Sequence, residues 1–372
     1  MPRLRGYTSE NDARVWSGRH PHILPGLPDF PDSILRPDVP REEAFGVSSG
    51  EARAKLDQNE SPVDLPEPIR DVILEHLRST PLHRYPQPDA YRRIKEQFGA
   101  AIGQPAERII LTAGADQLIL LAFWAAGGEG RRARVFEPTY PLYAAQARNT
   151  QTELDRVVLG PSYKLEDLGG AVNILVLCRP NNPTGSSPGE EVVARAAKYH
   201  SLVVLDEAYA DFSGDSLAWL GEENANLLVI RSLSKAGLAG VRLGYGLGHP
   251  QLIQILETMV FAPYHLNALQ LAVAAAHAEI RVHVEGLVRQ ITAERERVQE
   301  ELGSMGVRYW HSETNFVLFE APRPSQTNER LLGRGVRVRD VSDFPGLSSH
   351  LRVTIGTPQE NDLFLRELKP TV

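Results

Sequence analysis

Cysteine is nearly absent: Cys178 is the only one in 372 residues. One thiol cannot close an intrachain disulfide or build a Cys-rich zinc site, which suits a reducing cytosol. Long apolar runs are missing as well. The longest lies near Leu118–Ala126, well short of the ~20 residues a membrane helix needs. No apolar segment follows the basic first residues, so no signal peptide is expected and a cytoplasmic protein is. There is no basic excess: 40 − 47 gives a net charge of −7, which argues against binding to nucleic-acid phosphates. Gly237–Gly246 is glycine-rich but lacks the G-x-G-x-x-G order, which excludes a dinucleotide fingerprint. Trp16, Trp124, Trp219 and Trp310 are scattered rather than grouped as a base-stacking set. His20 and His22 have no neighbouring ligand residues, so no metal site is expected.

What remains is an ordinary globular balance, with 42% hydrophobic and 23% charged residues. The length allows two lobes. Six prolines between Pro21 and Pro40 bar a regular helix or central strand there. Residues 1–50 are therefore expected to form a Pro-rich arm or tail.

From residue 66 onward helical spacing alternates with short apolar runs. Ile69, Val72, Ile73 and Leu77 share one helix face, and Tyr91, Ile94, Phe98 and Ile102 another. Runs at Ile109–Thr112, Arg134–Glu137, Asn173–Cys178, Leu202–Asp206 and Leu227–Ile230 lack strict alternation, as strands buried on both faces do. This predicts an α/β fold, a mostly parallel central sheet flanked by helices. After Pro263 the pattern changes to a long helix near Glu279–Met305, strands at Asn315–Phe319, Val336–Val338 and Leu351–Ile355, and a last helix from about Gln359. That predicts a smaller α+β domain. Residues 51–80 are assigned to its N-terminal part, 81–270 to a large cofactor-binding domain and 271–372 to its main body. The charges at Glu294, Arg295, Glu296 and Arg297 are read as a solvated face.

Four motifs carry chemistry. Ser232-Leu233-Ser234-Lys235 follows a buried strand, with Arg242 in the glycine-rich segment beyond. A lone lysine in a turn is usually a surface residue. Here two hydroxyls and a guanidinium around one amine suggest a nucleophilic lysine beside a phosphate-bearing aldehyde cofactor. In Val203–Tyr209 the strand ends at Asp206, and open α/β sheets bind ligands at strand C-termini. Asp206 could pair with a protonated ring nitrogen or simply cap the next helix; Tyr209 could donate to a ring oxygen. Arg179–Gly185 (RPNNPTG) reads as a turn or as a rigid mount for the Asn182 amide. Ala113–Gln117 opens a helix and could hold an anion.

Together these segments resemble the fold-type I pyridoxal-phosphate enzymes, and among them the class I/II aminotransferases of the histidinol-phosphate branch. The likeness runs from about residue 50 to the C-terminus through LDQNESP (56–62), HRYPQPDAY (83–91), AGADQ (113–117), EPTYPLY (137–143), RPNNPTG (179–185), VVLDEAYADFSG (203–214), SLSKAGLAGVRLGY (232–245), APYHLNALQ (262–270), TNFVLF (314–319) and LRVTIGTPQEND (351–362). The resemblance implies pyridoxal 5'-phosphate bound covalently to Lys235, with Asp206 on the pyridine nitrogen, Asn182 and Tyr209 on the ring oxygen and Tyr140 stacked on the ring. It implies Ala115, Asp116, Ser232, Ser234 and Arg242 at the cofactor phosphate, and Tyr85 reaching the phosphate of a neighbouring subunit in a homodimer. Arg352 and Arg339, with Asn182, would hold the substrate, and Lys235 would move the proton at its α-carbon. The implied reaction takes histidinol phosphate and 2-oxoglutarate to imidazole-acetol phosphate and glutamate. Aromatic transamination, phosphothreonine-type decarboxylation and a non-catalytic regulator domain are the alternatives. Three departures from the family stand out. Gln117 stands where an acidic residue is common. Lys235 and Arg242 are seven residues apart, one fewer than usual, and no tyrosine lies between Tyr7 and Tyr85, where the family often has one near the substrate phosphate.

Overall fold

The computed structural model describes residues 51–369. The expected arm, His20, His22 and Trp16 lie outside the described residues. In chain order the strands are β1 (Ala54–Leu56), β2 (Ile109–Thr112), β3 (Arg132–Glu137), β4 (Glu153–Val158), β5 (Ile174–Cys178), β6 (Leu202–Asp206), β7 (Leu227–Ser232), β8 (Gly244–Leu247), β9 (Phe316–Glu320), β10 (Val336–Asp340) and β11 (His350–Thr354). The helices are α1 (Glu67–Arg78), α2 (Pro88–Ile102), α3 (Ala115–Ala126), α4 (Leu142–Asn149), α5 (Glu190–Tyr199), α6 (Ala210–Ser213), α7 (Pro250–Met259), α8 (Ala268–Ala275), α9 (His277–Ser304), α10 (Pro324–Gly333) and α11 (Pro358–Leu368).

Seven strands form one sheet in the order β2-β8-β7-β6-β5-β3-β4. The pairs β4/β3, β3/β5, β5/β6 and β6/β7 are parallel, while β8 runs against both β7 and β2. The central strands are buried almost throughout and apolar up to their C-terminal ends, because helices cover both faces. Edge strand β4 instead alternates exposed and half-buried positions. Its charged sequence hides it among loop-like segments. A second sheet, β1-β10-β11-β9, is antiparallel except for the parallel β1/β10 pair, and has its own core of Leu56, Phe316, Phe319, Val336 and Phe364.

One expectation is corrected. The charges of residues 294–297 are not all solvated: Arg295 is only 5% exposed and donates to the Thr314 carbonyl at 2.9 Å. Four consecutive helical residues, ~100° apart, cover most of the circumference, so one must face inward.

Candidate active site

The parallel order of β5, β6 and β7 puts their C-terminal ends side by side. From β5 comes the turn holding Asn182, from β6 come Asp206 and Tyr209, and from β7 come Ser232, Ser234 and Lys235. A buried carboxylate ties these ends together. Glu207, 0% exposed, accepts from Ser216 Oγ at 2.5 Å and the Leu217 amide at 2.7 Å, and lies 3.8 Å from Arg179 and 3.4 Å from Arg231. Arg179 precedes the Asn182 turn and Arg231 precedes Ser232, so one charge braces all three exits.

Asp206 is buried. Its Oδ2 accepts from the Tyr143 hydroxyl at 2.6 Å and its Oδ1 from the Ala208 amide at 3.0 Å. Asp206 therefore turns the chain with one oxygen and faces α4 with the other, but does not cap α6, whose N-cap is Tyr209 with no side-chain cap bond. Burial raises its pKa to about 6, against the lowering effect of Tyr143 and Lys235. Lys235 moves the other way. Burial, then the charge of Arg352, lowers its pKa to about 8. The Lys235 amine stands 5.7 Å from the Tyr209 ring centroid, and no hydrogen-bond acceptor engages it among the described residues.

An anion cradle sits at the start of α3. Gly114 adopts φ 86° ahead of Ala115 and Asp116, which opens the first turn of amides. Arg242 reaches this turn despite the short loop: its Nη1 donates to Ser234 Oγ at 3.2 Å and its Nη2 to Asp116 Oδ2 at 2.9 Å. The backbone at Arg242 is left-handed, φ 56°, and Gln270 holds its carbonyl at 2.6 Å. Ser232 Oγ accepts the Ser234 amide at 3.2 Å. Tyr140 donates to Asp116 Oδ1 at 3.2 Å and packs edge-on against Tyr143, 5.8 Å between centroids.

On the second sheet Arg352 donates to Asn182 Oδ1 at 2.5 Å and to the Asp57 carbonyl at 2.8 Å, while its Nε has no partner among the described residues. Arg339 is its register partner on the neighbouring strand. Burial lowers the pKa of Arg352 to about 10, with Arg339 contributing in the same direction. Tyr85 stays apart from this group. It is 76% exposed and packs edge-on against Tyr264. A surface cavity between α2 and α7, lined by Tyr91, Lys95 and Glu257 among others, contains none of these residues.

Three contributors escaped sequence reasoning: Tyr143, Glu207 and Asn59, which donates to the Tyr209 hydroxyl at 2.9 Å. Each lies inside a recognised motif; the missing information was its distant partner.

The set fits an aldehyde-bearing pyridine phosphate. It offers a free amine with lowered pKa, a buried carboxylate, a hydroxyl and an amide for the ring, and a helix start with a guanidinium for the phosphate. The family described as aminotransferase class I and II matches residues 53–368. The histidinol-phosphate aminotransferase of Chlorobaculum parvum is 36% identical over 351 residues, covering 91% of this chain and 98% of that protein. Among solved structures, the histidinol-phosphate aminotransferase of Clostridium acetobutylicum superposes with a TM-score of 0.76 at 24% identity, covering 85% of this chain and 98% of that one. The Sinorhizobium meliloti enzyme, solved in complex with pyridoxal-5'-phosphate, gives 0.75 at 22% identity, covering 86% and 91%.

Proposed function

The chain belongs to the class I and II aminotransferases, and on that premise we propose that it interconverts histidinol phosphate and 2-oxoglutarate with imidazole-acetol phosphate and glutamate. The observation that carries this reading is the end-to-end likeness to a histidinol-phosphate aminotransferase. When bound, pyridoxal 5'-phosphate supplies an electron sink for charge developing at the substrate's α-carbon. The other tasks fall to the protein. Asp206 holds the proton on the ring nitrogen, and the cost of burying its charge falls once that cation is paired. Tyr209 and Asn182 would hold the ring oxygen, and Tyr140 would cover the ring. The amides of Ala115 and Asp116, the hydroxyls of Ser232 and Ser234, and Arg242 hold the phosphate. Lys235 takes and returns the proton at the α-carbon. Burial lowers the pKa of its amine to about 8 in the cofactor-free site, toward the neutral form that a general base needs. Arg352, fixed by Asn182 and Asp57, and Arg339 bind the substrate's anionic group.

The same reading includes a homodimer. Leu82, Tyr85, Phe261 and Tyr264 form exposed apolar surface, and Tyr85 would serve the neighbouring subunit's phosphate. A cytoplasmic location accords with the single thiol; among the described residues no helix is long and apolar enough to cross a membrane. Single-turnover reactions with histidinol phosphate, phenylalanine and phosphothreonine test the substrate. Fast amino transfer from histidinol phosphate is expected. A preference for phenylalanine, or carbon dioxide release from phosphothreonine, would overturn it.

A further inference from the structure

Asn59 sits in the segment after β1 with φ 55°, a left-handed conformation that asparagine tolerates better than most residues. It is 2% exposed, so each of its polar atoms needs a partner. Its backbone N–H donates to Thr354 Oγ1 at 3.0 Å, and its Oδ1 lies 2.9 Å from that same hydroxyl. Its Nδ2 lies 2.9 Å from the Tyr209 hydroxyl, and Asn315 holds its carbonyl at 3.1 Å.

Counting protons fixes the direction of this chain. Thr354 is buried, and Asn59 Oδ1 is the acceptor its hydroxyl finds. Reversing the amide would leave the threonine proton unpaired, which costs roughly 1–3 kcal/mol. So Oδ1 faces Thr354 and Nδ2 donates to Tyr209. The Tyr209 oxygen accepts there, and among the described residues nothing accepts its own proton. Burial raises the Tyr209 pKa, so that proton stays on. An edge-on contact with Phe316, 5.2 Å between centroids, holds the ring beside Lys235.

We infer that Asn59, itself oriented by Thr354, is a positioning residue that points the Tyr209 proton into the site as an obligate donor. The inference rests on the proposed role of Tyr209 at the cofactor's ring oxygen. A donor there favours the anionic oxygen and so lowers the midpoint pH of the cofactor's visible absorbance change. In Asn59→Asp a carboxylate oxygen accepts a hydrogen bond from the Tyr209 hydroxyl instead, turning that proton away from the site.

The experiment is a spectrophotometric pH titration of holoenzyme variants, with thermal unfolding as the check on folding. Asn59→Asp should raise the midpoint by about one pH unit, and Tyr209→Phe should raise it by as much or more. The two changes together should shift it no further than Tyr209→Phe alone. Thr354→Val is close in size; it frees the amide to turn and also removes the acceptor of the Asn59 backbone N–H, a loss the thermal-unfolding check reads. It should give a smaller rise, again absent in the Tyr209→Phe background, and it carries the test if Asn59→Asp does not fold. An equal rise for Asn59→Asp with and without Tyr209 would mean bulk charge alone and overturns the inference. So does an unmoved midpoint in Asn59→Asp and Thr354→Val when Tyr209→Phe moves it. If Tyr209→Phe moves nothing, the ring-oxygen role itself falls, and the inference with it.

Discussion

Burial pushes Lys235 and Asp206 toward their neutral forms from opposite sides, to about 8 and about 6. Both shifts oppose folding at neutral pH. For Asp206 the folded value is above the usual carboxylate value of 3.8. The native state therefore binds its proton more tightly, and the penalty grows as pH rises through 4 to 6 and is full above that window. Asp206→Asn should stabilise the cofactor-free protein by about 1–3 kcal/mol at pH 8. The gain should shrink toward zero near pH 4 and come with loss of activity. Urea unfolding at the two pH values measures it. For Lys235 the folded value is depressed, so stability should rise with pH from about 8 toward 10.5. Asp206, Tyr209 and Lys235 were legible because each ends or follows an apolar strand in a recognisable motif. Tyr143, Asn59 and Glu207 were not. Tyr143 lies 63 positions from the carboxylate it serves and Asn59 150 from the hydroxyl it orients, and periodicity carries no information about such pairings.

At the scale of elements, two contacts between neighbouring elements shape the site. Gly244 on β8 lies against the start of α3; a Cβ there would come within 2.6 Å of the Ala115 amide nitrogen and 2.8 Å of the Gly114 carbonyl carbon. Both are backbone atoms that cannot rotate away. Gly244→Ala should displace the first turn of α3 and weaken cofactor binding at least about tenfold, a loss of roughly 1.4 kcal/mol, as read by fluorescence titration. On the second sheet, Arg339 and Arg352 face each other across β10 and β11. Like charges directly opposite repel unless an anion lies between them. Arg352→Gln should raise KM for the phosphorylated substrate about 10- to 100-fold, the value of one or two charge-assisted hydrogen bonds, and change kcat less. Steady-state kinetics separates the two effects. Apolar strands and long helices were evident from pattern. β8 was not, because Gly-Tyr-Gly-Leu is half glycine, has no β-branched residue and owes its strand to pairing with β2 and β7.

For the whole molecule, the exposed apolar residues stand out. Phe261 is 77% exposed and Tyr85 76%, an arrangement that leaves large rings in water unless another surface covers them. Sedimentation equilibrium should give a dimer. Phe261→Asp combined with Tyr264→Asp should shift it toward monomer and reduce activity, since each site would lose the neighbouring subunit's Tyr85. The mixed α/β architecture was readable from the alternation of apolar runs and helical spacing. The way the second sheet recruits β1 from the other end of the chain was not, since three residues carry no periodic signal. The site as a whole turns on Lys235 being the amine that binds the cofactor. Borohydride reduction of the holoenzyme followed by peptide mapping tests it directly. The reduced pyridoxyl adduct is expected on Lys235, with none formed in Lys235→Ala. An adduct on any other lysine, or one that persists in that variant, would contradict it.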